Sequence, residues 1–235
     1  MKRWSAKNLI AALLVTVASQ AALAQEQVKL TSPTVPGGTP VIWSPYGFGS
    51  FYVSPYSGVL LTSGNQPVVL NCVDFFHDVS LGETWWANKT VLSSGNLSNT
   101  RFNNLNWYLQ AAWLTQQYDA NPGANANKTI AIQSAIWNIF AAASPDKTGG
   151  SGETSQSYWA SMAAANYGSV DASKFYVLTA VNKYAPDSQQ EFLVFDPRST
   201  TTTPEPATLT LMGTGLAAFA GMAKRRRKKN AQVIS

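Results

Sequence analysis

Two apolar runs without a charge, residues 9–18 and 207–223, stand at opposite ends of this chain, each beside a cluster of basic residues. They set what has to fold on its own, because neither belongs to a water-soluble core. Lys2, Arg3 and Lys7 come before the first run, and Ala22-Leu23-Ala24 follows it as a small-x-small cleavage site. That order predicts a cleavable signal peptide over 1–24 and a mature start at Gln25. The run is too short to cross a bilayer as a helix. At the other end, the threonines of 200–203 lead into Pro204-Glu205-Pro206, then the uncharged stretch Ala207–Ala223, then a basic block, Lys224–Lys229, that contains Arg225, Arg226 and Arg227. The apolar stretch sits at the lower length limit for a transmembrane helix, and the basic block would stay on the cytoplasmic side. The expected layout is a body at 25–198 outside the cytoplasmic membrane, a Thr-rich linker at 199–203 and a tail at 204–229 whose helix anchors it. Passage through the secretion machinery is implied, and release to the outer surface or matrix is the alternative fate.

The tail resembles the PEP-CTERM sorting signal in the order and spacing of Pro204, Glu205 and Pro206, the apolar stretch and the arginines. The resemblance implies a Gram-negative type envelope, recognition by an exosortase-type sorting enzyme with cleavage near the Pro-Glu-Pro, and an association with exopolysaccharide or biofilm.

The formal net charge of +5 belongs to the ends. Between Gln25 and Thr203 there are eight basic and eleven acidic residues. The body therefore lacks the basic surface that nucleic-acid binding requires, and no nucleic-acid partner is expected. Short β-branched and aromatic runs at 41–43, 48–53, 58–62, 68–76 and 84–92, separated by Gly, Pro, Ser and Asn, predict strands. Apolar residues at helical spacing predict helices over 103–118, 129–142 and 155–167, and strands return at 174–182 and 190–195. The fold class expected is α+β: an antiparallel sandwich or barrel-like part with a helical insert.

The body holds one cysteine, Cys72, so no internal disulfide can staple it. In the second helix Ile130, Gln133, Ile136, Trp137 and Phe140 share a face, which places the Gln133 amide among large apolar side chains. A buried amide left without partners costs about 1–3 kcal/mol, so Gln133 is either hydrogen-bonded or chemically consumed. The run Ile132-Gln133-Ser134-Ala135-Ile136-Trp137 resembles the apolar-Gln-x-x-apolar-Trp motif of the bacterial thioester domains of surface adhesins. Cys72-Val73 and Leu109–Leu114 match the strand cysteine and the preceding helix of that family, and the resemblance spans about Gly64 to Phe140. Asn71 stands where the family usually has an aromatic or Leu. The resemblance implies an internal thioester between Cys72 and Gln133, supported by Ile132, Ile136 and Trp137, that captures surface protein amines or polysaccharide groups covalently. A buried free thiol beside a hydrogen-bonded glutamine, and a disulfide to another chain, are the alternatives.

His77 follows Cys72 closely, but strand alternation sets Cys72, Asp74 and Phe76 on one face and Val73, Phe75 and His77 on the other. That favours a surface or capping histidine over a base. Cys72, His77 and Asp74 or Asp78 hold the residue types of a thiol hydrolase in a poor arrangement. Asp74, Asp78, Glu83 and Asp119 carry no motif that would pair them for glycoside hydrolysis. One His and one Cys are too few for a metal centre. No catalytic set, metal site or cofactor is expected. A non-covalent matrix or carbohydrate binder, stacking sugars on Trp43, Tyr46, Phe48, Tyr52, Tyr56 or Trp85-Trp86, is the rival reading.

Overall fold

A computed structural model describes residues 24–198, apart from 54, 143 and 146–149. The signal peptide up to Leu23, the Thr-rich linker and the whole sorting tail lie outside the described residues. No helix among the described residues is long and apolar enough to cross a membrane.

Eight strands and three α-helices are described: β1 (Ala24–Ser32), β2 (Val41–Trp43), β3 (Phe51–Val53), β4 (Tyr56–Leu60), β5 (Gln66–Cys72), β6 (Thr84–Val91), α1 (Leu105–Thr115), α2 (Ala126–Phe140), α3 (Gln156–Asn166), β7 (Phe175–Ala180) and β8 (Phe192–Phe195). Six strands close an antiparallel barrel in the order β1-β4-β5-β8-β7-β6, and β1 pairs with β6 to complete the ring. β2 and β3 form a separate hairpin, and the helices are inserted between β6 and β7. The α+β expectation holds, with closure into a barrel as its specific form.

Strand alternation explains the two cores. Val28, Leu60, Leu70, Cys72, Trp85, Ala87, Tyr176, Leu178, Phe192 and Val194 point into the barrel. From β7 and β8, Phe175, Val177 and Leu193 point the other way and pack with Leu92, Tyr108, Ala112, Ile132, Ile136 and Trp159. All six residues of β7 are therefore buried, as expected for a strand covered on both faces. β4 and β5 pack tightly inside: a Cβ on Gly58 would come within 2.5 Å of the Leu70 side chain. Asparagines start the helices. Asn104 Oδ1 accepts from the Trp107 amide at 3.3 Å, and Asn125 Oδ1 accepts from the Lys128 amide at 3.2 Å.

Three expectations are corrected. The barrel contains a strand, β1, over residues that carried no strand prediction; its Gln-Glu-Gln-Val-Lys run is polar, but Val28 and Leu30 point inward at the required period. β5 stops at Cys72 rather than reaching Phe76. The Asp74 carboxylate accepts from the Phe76 amide at 3.0 Å, which turns the chain out of the sheet, so alternation does not continue past Cys72. Ile136 of α2, set by helical spacing on one face with Ile130, Gln133 and Trp137, packs in the other core. The helix is buried continuously from Thr129 to Trp137, with Ile130 and Trp137 in the barrel core and Ile132 and Ile136 in the helical core.

Candidate functional site

Cys72 is the last residue of β5, fully buried with its side chain in the barrel core. Asn71 before it pairs in the ladder with Leu193 of β8, and its Nδ2 donates to the Leu193 carbonyl at 3.3 Å. Gln133 lies on the barrel-facing side of α2, one turn after Ile130 and one turn before Trp137, because positions three and four apart share a helix face. Its side chain meets Cys72: Gln133 Nε2 donates to the Cys72 backbone carbonyl at 2.9 Å across a sequence separation of 61. The Tyr118 hydroxyl donates to Gln133 Oε1 at 3.0 Å. Trp137 Nε1 donates to the Cys72 sulfur at 3.4 Å, and the thiol itself donates to the Asp74 carbonyl at 3.2 Å.

The site is dry. Cys72 and Gln133 both have 0% exposure. Burial pushes the Cys72 thiol up to about 12, with the Trp137 N–H pulling it the other way. At neutral pH the free sulfur is a thiol. Burial also raises Tyr56 well above its ordinary value, and the neighbouring Cys72, Tyr118 and Asp78 add to the rise. A wall of rings covers Trp137. Trp43 stacks on it at 6.2 Å with planes 10° apart, while Phe51 and Phe75 meet it at 5.5 Å and 5.2 Å. Trp43 and Phe51 come from the β2–β3 hairpin, which therefore lies against the Cys72–Gln133 pair.

Of the expected supporting residues, Trp137 touches the sulfur directly. Ile132 and Ile136 pack in the helical core and hold α2 from behind. His77 is bonded elsewhere. Its Nδ1 lies 2.7 Å from Asp74 Oδ2, and its Nε2 faces Arg101 Nη1 at 3.3 Å. Arg101 Nε reaches the same Asp74 oxygen at 2.8 Å, while Nη2 donates to Ser188 Oγ and the Gln189 carbonyl at 3.0 Å and 3.1 Å. The Arg101 amide donates to Glu191 Oε2 at 2.7 Å. This network ties the loop after Cys72 to the segment before β8, so His77 serves as a clamp. Two groups of the site were missed in the sequence: Tyr118, an aromatic just beyond a helix end, and Arg101, a lone cation in a loop. Neither carries a local signal. Among the described residues no group of three or more His, Cys, Asp or Glu is placed to hold a metal ion.

The aromatics split by face. Trp43, Tyr56 and Trp85 are buried, whereas Tyr46, Phe48, Tyr52 and Trp86 are exposed. Trp86 lies in an open depression with Gln25, Val181, Asn182 and Gln189.

No curated protein and no solved structure matches the chain. Residues 202–227 match the PEP-CTERM protein-sorting motif. That motif is the signal of an exported protein sorted to the cell envelope by an exosortase-type enzyme.

Proposed function

We propose that the body is an envelope-displayed capture domain in which Cys72 and Gln133 form an internal thioester, positioned outside the cell by the sorting tail. The observation that carries this reading is the hydrogen bond from the Gln133 amide to the Cys72 backbone carbonyl, with the indole N–H of Trp137 on the sulfur. In thioester formation the sulfur bonds to the Gln133 side-chain carbon and the carbon–nitrogen bond breaks. The thiol proton leaves on nitrogen, so ammonia is the by-product. The product is an acyl group with thiolate as its leaving group. An amine from a surface protein, or a polysaccharide hydroxyl, then attacks the carbonyl and remains bonded to Gln133 while Cys72 regains its thiol. The protein is consumed in one turnover and acts as an adhesin or matrix protein rather than as a recycling enzyme.

The intact mass of the secreted domain tests this. One ammonia less than the sequence mass is expected, with Cys72 resistant to alkylation until methylamine is added. A full-mass protein whose Cys72 is alkylated freely on unfolding, with or without methylamine, would sink the proposal.

A second reading is supported by the open depression at Trp86. A half-exposed indole in a depression lined by Gln25, Asn182 and Gln189 offers a stacking face of the kind that suits neutral sugars. On that reading the protein binds exopolysaccharide without a covalent step. Saturable binding of a neutral polysaccharide, lost in Trp86→Ala and kept in Cys72→Ala, separates the two.

A further inference from the structure

Gln133 is held in one orientation by its neighbours. The Cys72 backbone carbonyl can only accept, so the nitrogen of the Gln133 amide must face it. The Gln133 oxygen therefore points at Tyr118, and the phenol must be the donor at 3.0 Å. Any attack on the Gln133 side-chain carbon moves negative charge onto this oxygen. We propose that Tyr118 is a catalytic residue of the acyl chemistry, the donor that holds the oxyanion at Gln133 Oε1. The proposal rests on the thioester reading and names the group that makes it fast.

The segment that carries Tyr118 is fixed before the reaction begins. α1 ends with side chains closing over its last carbonyls: Gln116 Nε2 donates to the Ala112 carbonyl at 3.2 Å and Gln117 Nε2 to the Trp113 carbonyl at 3.0 Å. The Gln117 amide adds a turn bond to the Leu114 carbonyl at 2.9 Å. On the far side of Tyr118, Asp119 pairs with Lys128 in the first turn of α2 at 2.8 Å. The phenol is thus clamped between the end of the helix before Gln133 and the start of the helix that carries it. A donor so placed needs little reorganisation as charge develops, which is the condition under which such a group lowers a barrier.

Formation and opening both use it. In formation, sulfur adds to the carbon, the electron pair of the C=O goes to Oε1, and collapse expels ammonia after the thiol proton reaches nitrogen. In opening, an amine adds to the same carbon, the pair again goes to Oε1, and collapse breaks the carbon–sulfur bond as the amine proton passes to sulfur. Trp137, with its N–H on the sulfur, serves the other end of the bond. Both transition states place charge on the oxygen that Tyr118 faces, so one substitution should slow both.

The test compares wild type with Tyr118→Phe, which removes the hydroxyl and keeps the ring. Three rates are measured on the exported domain after refolding: ammonia loss by intact mass, methylamine incorporation into the formed thioester, and alkylation of Cys72 in the methylamine-opened protein. Loss of one oxyanion donor typically slows a reaction about 10²–10³-fold. The first two rates are expected to fall together by about that factor, with the alkylation rate, which reports access to the site, unchanged. If wild type loses ammonia and Tyr118→Phe forms and opens its thioester at wild-type rates, the role of Tyr118 is overturned while the thioester stands. If alkylation shifts by the same factor as the other two rates, the residue acts through packing and the proposal fails. A wild type at full mass removes the reading beneath it. Should Tyr118→Phe not fold, fluorotyrosines at position 118 alter the acidity of the phenol at nearly constant shape. Rates that track phenol acidity uphold the donor role, and rates indifferent to it refute it.

Discussion

Opening the thioester should cost the domain a measurable share of its stability. A bond between Cys72 and Gln133 joins residues 61 apart in sequence. In chain-entropy terms, a cross-link closing a loop of that length removes about 4 kcal/mol of freedom from the unfolded chain at 25 °C. Methylamine cuts the bond without altering the sequence and leaves a methylamide on a fully buried side chain. The added methyl acts in the same direction, since overfilling a packed site costs about 1–3 kcal/mol. Wild-type protein should therefore melt about 10 °C lower after methylamine treatment than before, the shift expected of about 4 kcal/mol in a domain of this size. The assay is thermal or urea unfolding followed by tryptophan fluorescence, run beside intact mass so that the opened fraction is known. Cys72→Ala is the control and should be indifferent to methylamine. If mass shows complete opening and the melting curves superimpose within a degree, the loop-closure reasoning is wrong, whatever becomes of the acyl chemistry.

Other consequences follow from the same contacts. Arg101→Ala leaves the Asp74 carboxylate, 1% exposed in the ion pair, without its guanidinium. Removing one partner of such a buried pair costs about 3–5 kcal/mol, read by urea unfolding; a stability within about 1 kcal/mol of wild type would show that Asp74 is satisfied without Arg101. In Gln133→Ala the Cys72 sulfur stays a thiol whose folded pKa, about 12, lies above the ordinary value of 9.0. The neutral thiol then supports folding fully below pH 9, and that support is lost as pH rises toward 12, because only the unfolded chain ionises in that window. Gln133→Ala should lose about 4 kcal/mol across it relative to the Cys72→Ala/Gln133→Ala double variant; parallel stability curves would place the sulfur in contact with water. Deleting the chain from Pro204 onward removes most of the matched sorting motif. The truncated body should move from the membrane fraction to the soluble exported fraction, and retention in the membrane fraction would mean that another segment holds it.

Local patterns made most of the barrel legible, and the gaps have physical causes. β2, β4, β6, β7 and β8 read as strands because they are short runs rich in β-branched and aromatic residues, bounded by turn residues. β1 escaped because only Val28 and Leu30 mark its inward face between polar residues, and its stability comes from pairing on both edges with β4 and β6. Such pairing between distant strands leaves no trace in a local window. The reading of α2 as a mostly apolar helix was correct, but Ile136, placed on one face with Ile130 and Trp137, packs in the other core. A helix pressed between the barrel core and two other helices is buried on most sides, and periodicity does not tell which side meets which core.

The site was legible to the extent that its residues were chemically out of place. A lone cysteine in an exported chain and an amide inside an apolar helix each demand an explanation, and Trp137 came with the motif. Tyr118 and Arg101 are ordinary where they stand, so only the fold gives them a role. The decisive step is where β5 ends. Had the strand run on to Phe76, Cys72 would lie within the barrel wall, closed off by strand neighbours on both sides. Instead Asp74 takes the Phe76 amide and the His77 imidazole, and the chain leaves the sheet just after Cys72. The sulfur is thereby the last inward group at the rim, where a side chain from a helix outside the barrel can reach it. The loop network that looks like a mere clamp is thus what brings strand chemistry and helix chemistry to one point. Weakening it through Asp74→Asn should loosen the Cys72–Gln133 juxtaposition and slow ammonia loss read by intact mass, and a wild-type rate would show that the network does not set that geometry.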